Sequence, residues 1–327
     1  MESYSYRVFF ALGVVRIGLA CFGVVGNILS VIVLAHRSMR SSTAVLLICL
    51  ALYDTVFLVA TGVTAVVGLN TISMSMSLLH IVAAFYPIRN IAQMGSVYAT
   101  VILTVERFIA VAYPMKARII CTLSNSRNFM IGVFIFSVAF NIPRCLRSLI
   151  ITPPMNVTAN DSIPTDNYNF LYMRVYEIYL TTILYFLIPY TLIVLLNIRL
   201  LMTLKKSRKT TIKLSYHNKN KQQRRESTSM RNPTGKEDSL ISFVIGITGC
   251  FFVCCFVPLV YNIIILAKPN LLAEATRYYL LSIGDTMLCV NAATDFIFYC
   301  LLGQRFRTLF IKTFCPFIRK SKTVMEI

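Results

Sequence analysis

Seven long apolar stretches, each carrying a polar or proline residue at a matching depth and separated by short polar loops and one long basic loop, decide what this chain can fold into. A helix needs about 20 apolar residues to cross the hydrocarbon of a bilayer. Runs of that size lie near Leu12 to Ala35, Ala44 to Gly68, Leu79 to Ala112, Phe129 to Ile151, Val175 to Leu204, Ser239 to Ala267 and Arg277 to Leu302. Lipid offers no water to exposed N–H and C=O groups, so each run is predicted to be helical. With 57% hydrophobic residues, 14% charged residues and a mean hydropathy of +0.69, the chain has too little polar surface for a water-soluble domain. The expected architecture is an all-α membrane protein, a seven-transmembrane helix bundle over residues 12–302 behind an outer N-terminal segment, 1–11. Beyond the last run, Phe306, Leu309, Phe310 and Phe314 recur at helical spacing among Arg305, Arg307 and Lys312. That pattern predicts a short amphipathic eighth helix lying on the membrane within a tail over 303–327.

An odd number of spans puts the termini on opposite sides, and the basic residues indicate which side is which. Arg37, Arg40, Arg107, Lys116, Arg118, Arg127, Arg199, the loop from Lys205 to Lys236 and the tail from Arg305 to Lys322 hold most of the 32 lysines and arginines. These segments are therefore expected in the cytoplasm, with the long basic inner loop at about 205–238. The net charge of +19 is read as a topology signal and an attraction to anionic lipid, not as a nucleic-acid-binding face. Both glycosylation acceptors, Asn156-Val157-Thr158 and Asn160-Asp161-Ser162, fall between the fourth and fifth runs, which places that loop outside. No basic leader precedes Val8, so the first run reads as a retained anchor.

At the inner end of the third run stands Glu106-Arg107-Phe108, followed by Ile109 through Pro114. With Gly26-Asn27, Leu50-Ala51-Leu52-Tyr53-Asp54, Pro189, Cys255-Phe256-Val257-Pro258 and Asp295-Phe296-Ile297-Phe298-Tyr299 in order along the chain, this resembles the rhodopsin-like, class A G-protein-coupled receptors. Phe140-Asn141-Ile142-Pro143-Arg144 and the stretch from Asn291 to Gly303 are similar to the FMRFamide-receptor group of neuropeptide receptors. The chain also departs from that pattern. It has no tryptophan, Asp295-Phe296 replaces the usual Asn-Pro, and no cysteine lies at the outer end of the third run or between Cys145 and Cys250. The outer-loop disulfide of the family cannot form, and the cysteines inside apolar runs read as small buried hydrophobes.

The resemblance assigns roles to buried polar residues, which are costly in lipid and usually face the bundle interior. It gathers Asn27, Asp54, Ser96, Asn291 and Asp295 into a sodium and water pocket, whose oxygens suit a hard cation or a shared proton; no other cofactor and no transition metal is expected. It makes Glu106, Arg107, Phe108, Asp238 and Tyr299 the G-protein switch, with Glu106, Glu237 and Asp238 latching Arg107 at rest. Pro189 and Pro258 supply helix kinks, and Pro114 and Met115 a G-protein contact. Arg89 lies about five helical turns outward of Arg107 and would repel a cationic amine. Asp285 and Glu177 offer partners for the arginine of an Arg-Phe-amide peptide, although Arg89 and Asp285 can equally pair with each other. Phe256, Tyr261, Tyr98 and Tyr278 offer aromatic surface.

The resemblance implies an extracellular amidated peptide and a heterotrimeric G protein as partners, and a plasma-membrane protein with its N-terminus outside and its C-terminus cytoplasmic. Arg224-Arg225-Glu226-Ser227 adds kinases and arrestin, and Cys315 beside the amphipathic helix is a candidate for palmitoylation and contact with membrane lipids. Two other readings stay open: a receptor for small chemosensory molecules and, from a different class, an ion-coupled transporter, since buried acids also mark ion pathways. An enzyme is not expected, because His36, His80 and His217 lie far apart with no metal spacing.

Overall fold

The computed structural model describes residues 2–69, 76–151, 172–203, 234–268 and 271–314. Seven helices among them are long and apolar enough to cross a membrane: Arg7–Leu34, Ser42–Leu69, Ser77–Ala112, Leu123–Leu149, Arg174–Thr203, Gly246–Ala267 and Glu274–Leu301, here the first to seventh spans. The second packs on the first and third, the third on the fourth, and the seventh closes onto the first and sixth. Phe22, Phe134, Ile135, Leu149 and Val253 face outward, as helices solvated by hydrocarbon require.

Several helices run past the apolar stretches that located them. The first begins at Glu2, the helix of the fourth span at Leu123 and that of the sixth at Thr234. Hydropathy marks the part in lipid, whereas caps set the ends: the Asn125 N–H donates to Thr122 Oγ1 at 3.3 Å, starting the fourth helix before its apolar residues begin. The residues after the third span form a further short helix, Pro114–Ile120, with proline in the first turn, where its missing N–H costs nothing. The expected amphipathic helix is present as Gln304–Phe314, its Phe306 ring 5.5 Å from that of Tyr299.

Prolines inside helices leave a carbonyl without its usual donor, and at Pro87 and Pro189 a neighbouring helix answers. Pro87 lies inside the third helix, and the Ala83 carbonyl one turn before it accepts a hydrogen bond from Ser148 Oγ of the fourth span. In the helix that carries the fifth span and begins just before it, Tyr172–Leu180 and Thr182–Leu187 are wound as π-helix, with the Ile188 N–H donating five residues back to the Ile183 carbonyl. In that register Pro189 would have donated to Leu184, and the Leu184 carbonyl instead accepts from Tyr98 OH at 3.0 Å.

Where the first, second and seventh spans meet, Gly23 lets backbones approach. A Cβ there would lie 2.9 Å from the Ala293 Cα and 2.5 Å from Leu58 Cδ1. Gly23→Ala is expected to cost about 1–3 kcal/mol by overpacking, lowering the melting temperature of the purified protein. Gly18→Ala, whose Cβ would meet nothing within 4 Å, should leave it unchanged or raise it slightly, since alanine favours the helix.

Candidate functional site

Polar side chains sealed between these helices form three layers. In the outer layer a cavity of about 650 Å³ opens between the third, fourth, fifth, sixth and seventh spans. Tyr86, Gln93, Tyr185, Phe186, Tyr261 and Asn262 contribute to its walls, together with Arg89, Arg144, Arg147, Arg277, Glu177 and Asp285.

Arg144 is only 2% exposed. Its Nε and Nη2 donate to the two oxygens of Glu177 at 3.1 and 2.9 Å, Nη1 donates to Asn141 Oδ1 at 2.7 Å, and Nη2 also reaches Thr181 Oγ1 at 2.8 Å. Its guanidinium lies 5.0 Å from the Tyr176 ring centre and 5.4 Å from that of Tyr185. A two-pronged guanidinium–carboxylate fit of this kind is what lets a charge stay away from water. Glu177 accepts a further bond from Tyr172 OH at 2.5 Å. Burial and that hydrogen bond push the Tyr172 phenol above its ordinary pKa, so it stays a donor.

Across the cavity, Arg89 Nη1 donates to Asp285 Oδ2 at 3.0 Å, and Arg16 Nη1 of the first span lies 3.8 Å from the same oxygen. Both outer acids expected to receive a ligand arginine are therefore engaged by arginines of the bundle. For Asp285 this is the internal pairing weighed as the other possibility, with Arg16 added. For Glu177 the partner, Arg144, was not foreseen, though an arginine inside an apolar run is the same signal that drew attention to Arg89.

In the middle layer, Asp54 and Asp295 are 1% and 2% exposed and lie side by side. Ser96 Oγ donates to Asp54 Oδ1 at 2.6 Å, and Asn27 Nδ2 donates to the Ala292 carbonyl at 3.0 Å. Asn27 Oδ1, Asp54 Oδ2 and Asn291 Oδ1 are buried acceptors without a hydrogen-bond partner among the described residues. No group of three or more histidine, cysteine or acidic side chains is placed to hold a metal among those residues. Two carboxyls, two amides and a hydroxyl with acceptors to spare nevertheless fit a hard, oxygen-seeking cation.

The inner layer centres on Glu106, which accepts from Ser42 Oγ at 3.0 Å, Thr43 Oγ1 at 2.7 Å and Arg107 Nη2 at 3.0 Å. Ser42 opens the second helix, whose positive end favours a carboxylate there. The Ser42 hydroxyl also meets that of Ser126 in the fourth span at 2.6 Å. None of these three hydroxyls was singled out from sequence. Phe108 meets Tyr113 edge to face at 6.1 Å, and Tyr299 is buried. Met115 and Ile119, one turn apart on the short helix, are 74% and 76% exposed.

Phe256 corrects the expected pocket. It is 54% exposed and turned away from the cavity, whose sixth-span wall is Pro258, Tyr261, Asn262 and Ile265. Tyr98 is taken up by the Leu184 carbonyl, and Tyr278 is 60% exposed and absent from the lining. Asn156, Asn160, Arg224 to Ser227 and Cys315 lie outside the described residues, and at Glu237 and Asp238 only the helical backbone is described. We expect Glu177→Gln, which leaves the Arg144 charge buried and unpaired, to destabilise the protein by about 3–5 kcal/mol. Thermal unfolding checks this, with Arg144→Met/Glu177→Met recovering much of the loss; an unchanged midpoint in Glu177→Gln would mean that Arg144 does not depend on the pair.

A family model for the 7 transmembrane receptor (rhodopsin family) matches residues 26–299. The chain is 28% identical to the FMRFamide receptor of Drosophila melanogaster over 94% of its own length and 54% of that protein's. It is 25% identical to the FMRFamide peptide receptor frpr-18 of Caenorhabditis elegans, covering 87% of this chain and 65% of that one. Identity to the human thyrotropin-releasing hormone receptor is 25%, over 89% of the chain and 74% of that receptor. It thus spans less than two thirds of either FMRFamide-receptor relative. The matched region runs from the first span to Tyr299 and takes in all three polar layers but for Arg16, and the chain belongs to the rhodopsin family of seven-transmembrane receptors.

Proposed function

We propose that the chain is a G-protein-coupled receptor for an amidated neuropeptide of FMRFamide type, set in the plasma membrane with its N-terminus outside. The observation that carries this is a largely apolar cavity of about 650 Å³ with polar and charged groups set in its wall at one end of the bundle and, at the other, an arginine held by one neighbouring acid. The volume lies in the range of small-ligand sites and admits the end of a peptide. A C-terminal carboxamide is neutral, donates and accepts, and finds matching groups in Gln93 and in Asn262, whose Nδ2 gives one of its two hydrogens to the Pro258 carbonyl and keeps the other. With Glu177 and Asp285 held internally, that carboxamide carries recognition in place of a ligand guanidinium.

Ligand closure on the fifth, sixth and seventh spans shifts the population toward a state in which Arg107 leaves Glu106 and meets the G protein. The exposed pair Met115 and Ile119 supplies apolar contact to that partner. A sodium ion in the middle layer would be held by oxygens of Asp54, Asp295, Asn27, Asn291 and Ser96, and would supply positive charge to balance the two buried carboxyls. Glycans at Asn156 and Asn160, palmitoylation at Cys315, kinases and arrestin complete the reading.

Expression with a promiscuous G protein and a panel of amidated peptides, with calcium release as readout, tests it. Amidated peptides are expected to act at concentrations at least tenfold below their free-acid forms. Ion flux in the absence of G protein, or equal potency of acid and amide, would overturn it. In the same cells Asp54→Asn is expected to abolish the dependence of agonist affinity on sodium; a dependence kept intact would remove the ion from the middle layer.

A further inference from the structure

A second chamber of about 380 Å³ lies beside the main cavity, between the first, second, third and seventh spans. Phe9, Phe10, Gly13, Ala65 and Leu69 give it apolar walls. Its charged groups are Arg16, Arg89 and Asp285, and Arg89 and Asp285 also line the main cavity. One carboxylate oxygen here serves two guanidiniums, at 3.0 and 3.8 Å. Arg16 Nε is turned to the Leu12 carbonyl at 3.4 Å, and Arg89 Nε is buried without a hydrogen-bond partner among the described residues. Each guanidinium carries five N–H donors. A single acid cannot occupy ten, nor balance two positive charges.

We propose that this second chamber binds a carboxylate carried on a short apolar or aromatic group, received by Arg16 and Arg89 alongside Asp285. The charge balance selects an anion: the triad has an excess of one positive charge among partly buried side chains, where screening is weaker than in bulk water. The planar forks select carboxylate geometry, which pairs with a guanidinium two-pronged. The apolar walls select the tail, with Phe9 and Phe10 offering aromatic surface. Asp285 competes with the ligand for both arginines, so it sets the affinity. The carboxylate belongs either to a free acid or to an acidic residue of a peptide whose other end occupies the main cavity, since Val82, Tyr86, Arg89 and Asp285 border both spaces. The inference extends the peptide-receptor reading to a second subsite.

The test needs neither agonist nor G protein, which keeps its failure separate from that of the receptor reading. Full-length protein in lipid nanodiscs is titrated with 4-phenylbutyrate, with its amide 4-phenylbutanamide, and with the acetylated dipeptide amide Ac-Asp-Phe-NH₂, while the melting temperature is followed. Saturable upward shifts are expected for an acid and none for 4-phenylbutanamide. A shift with 4-phenylbutyrate alone assigns the site to a free acid, and one with the dipeptide assigns it to an acidic residue. Arg16→Gln should abolish the shift. Asp285→Asn, which removes the internal competitor and keeps the side-chain volume, should lower the half-saturating concentration at least several-fold. No shift with either acid, equal shifts with phenylbutyrate and its amide, or a shift kept in Arg16→Gln but lost in Arg277→Gln would overturn the assignment. Because Asp285→Asn predicts a gain of affinity, misfolding of a variant cannot imitate it.

Discussion

A guanidinium sealed from water between the fourth and fifth spans sets the terms for the outer half of this bundle. Arg144 can stay charged there only if every donor is answered; Asn141 on its own helix takes one, and the other answers come from Glu177, Thr181 and Tyr185 of the next, with Tyr172 completing Glu177. Tyr172, Glu177, Thr181 and Tyr185 are spaced by five, four and four residues. On an α-helix of 3.6 residues per turn, Tyr172 and Tyr185 would point roughly 140° apart. The π-winding of Tyr172–Leu180 and Thr182–Leu187 widens each turn and keeps all of them on the face turned to Arg144. The unusual helix and the buried charge thus explain one another.

The same economy of polar groups accounts for what holds the outer ends together in a chain that lacks the family's outer-loop disulfide. Ser148 bonds the carbonyl left without its donor by Pro87, which joins the fourth span to the third; Arg144 and Glu177 join the fourth to the fifth. Deeper down, Tyr98 does for Pro189 what Ser148 does for Pro87. These are directional bonds in a medium where the alternative is an unsatisfied group, so each fixes the rotation of the helices it joins as well as their separation. The cavity inherits its shape from them, because Arg144, Ser148, Tyr172 and Tyr185 stand in its wall.

What sequence could and could not supply follows from the same physics. Span number and the amphipathic helix were legible, since length, hydropathy and i, i+4 spacing report the solvent each segment meets. Asp54, Asp295 and Arg107 stood out because charge is rare in such runs, and their mutual placement came from the resemblance. Rotation was not legible. Phe256 occupies a recognised place along the sixth span, yet one residue of helical rotation is about 100°, enough to turn a ring from cavity to lipid. Pairing was only half legible: Arg144 and Glu177 were each visible, but 33 residues separate them and nothing local links an arginine on one helix to a glutamate on the next. The hydroxyls around Glu106 carried no signal, because serine and threonine at a helix start are ordinary caps.

The layers also constrain how the bundle can move. The third span contributes Arg89, Ser96 and Glu106, one to each layer, and the seventh contributes Asp285, Asp295 and Tyr299. Asp285 and Asp295 are ten residues apart, roughly 15 Å along the helix, so a displacement of the seventh span at the Arg16–Asp285–Arg89 group is felt at the Asp54–Asp295 group as well. Packed interfaces of this kind exchange one set of partners for another instead of deforming continuously. Two helices each tied to their neighbours at three depths resist a shift confined to one of them, and a rearrangement that separated Arg107 from Glu106 would have to keep or replace the partners of the carboxyls and hydroxyls above it.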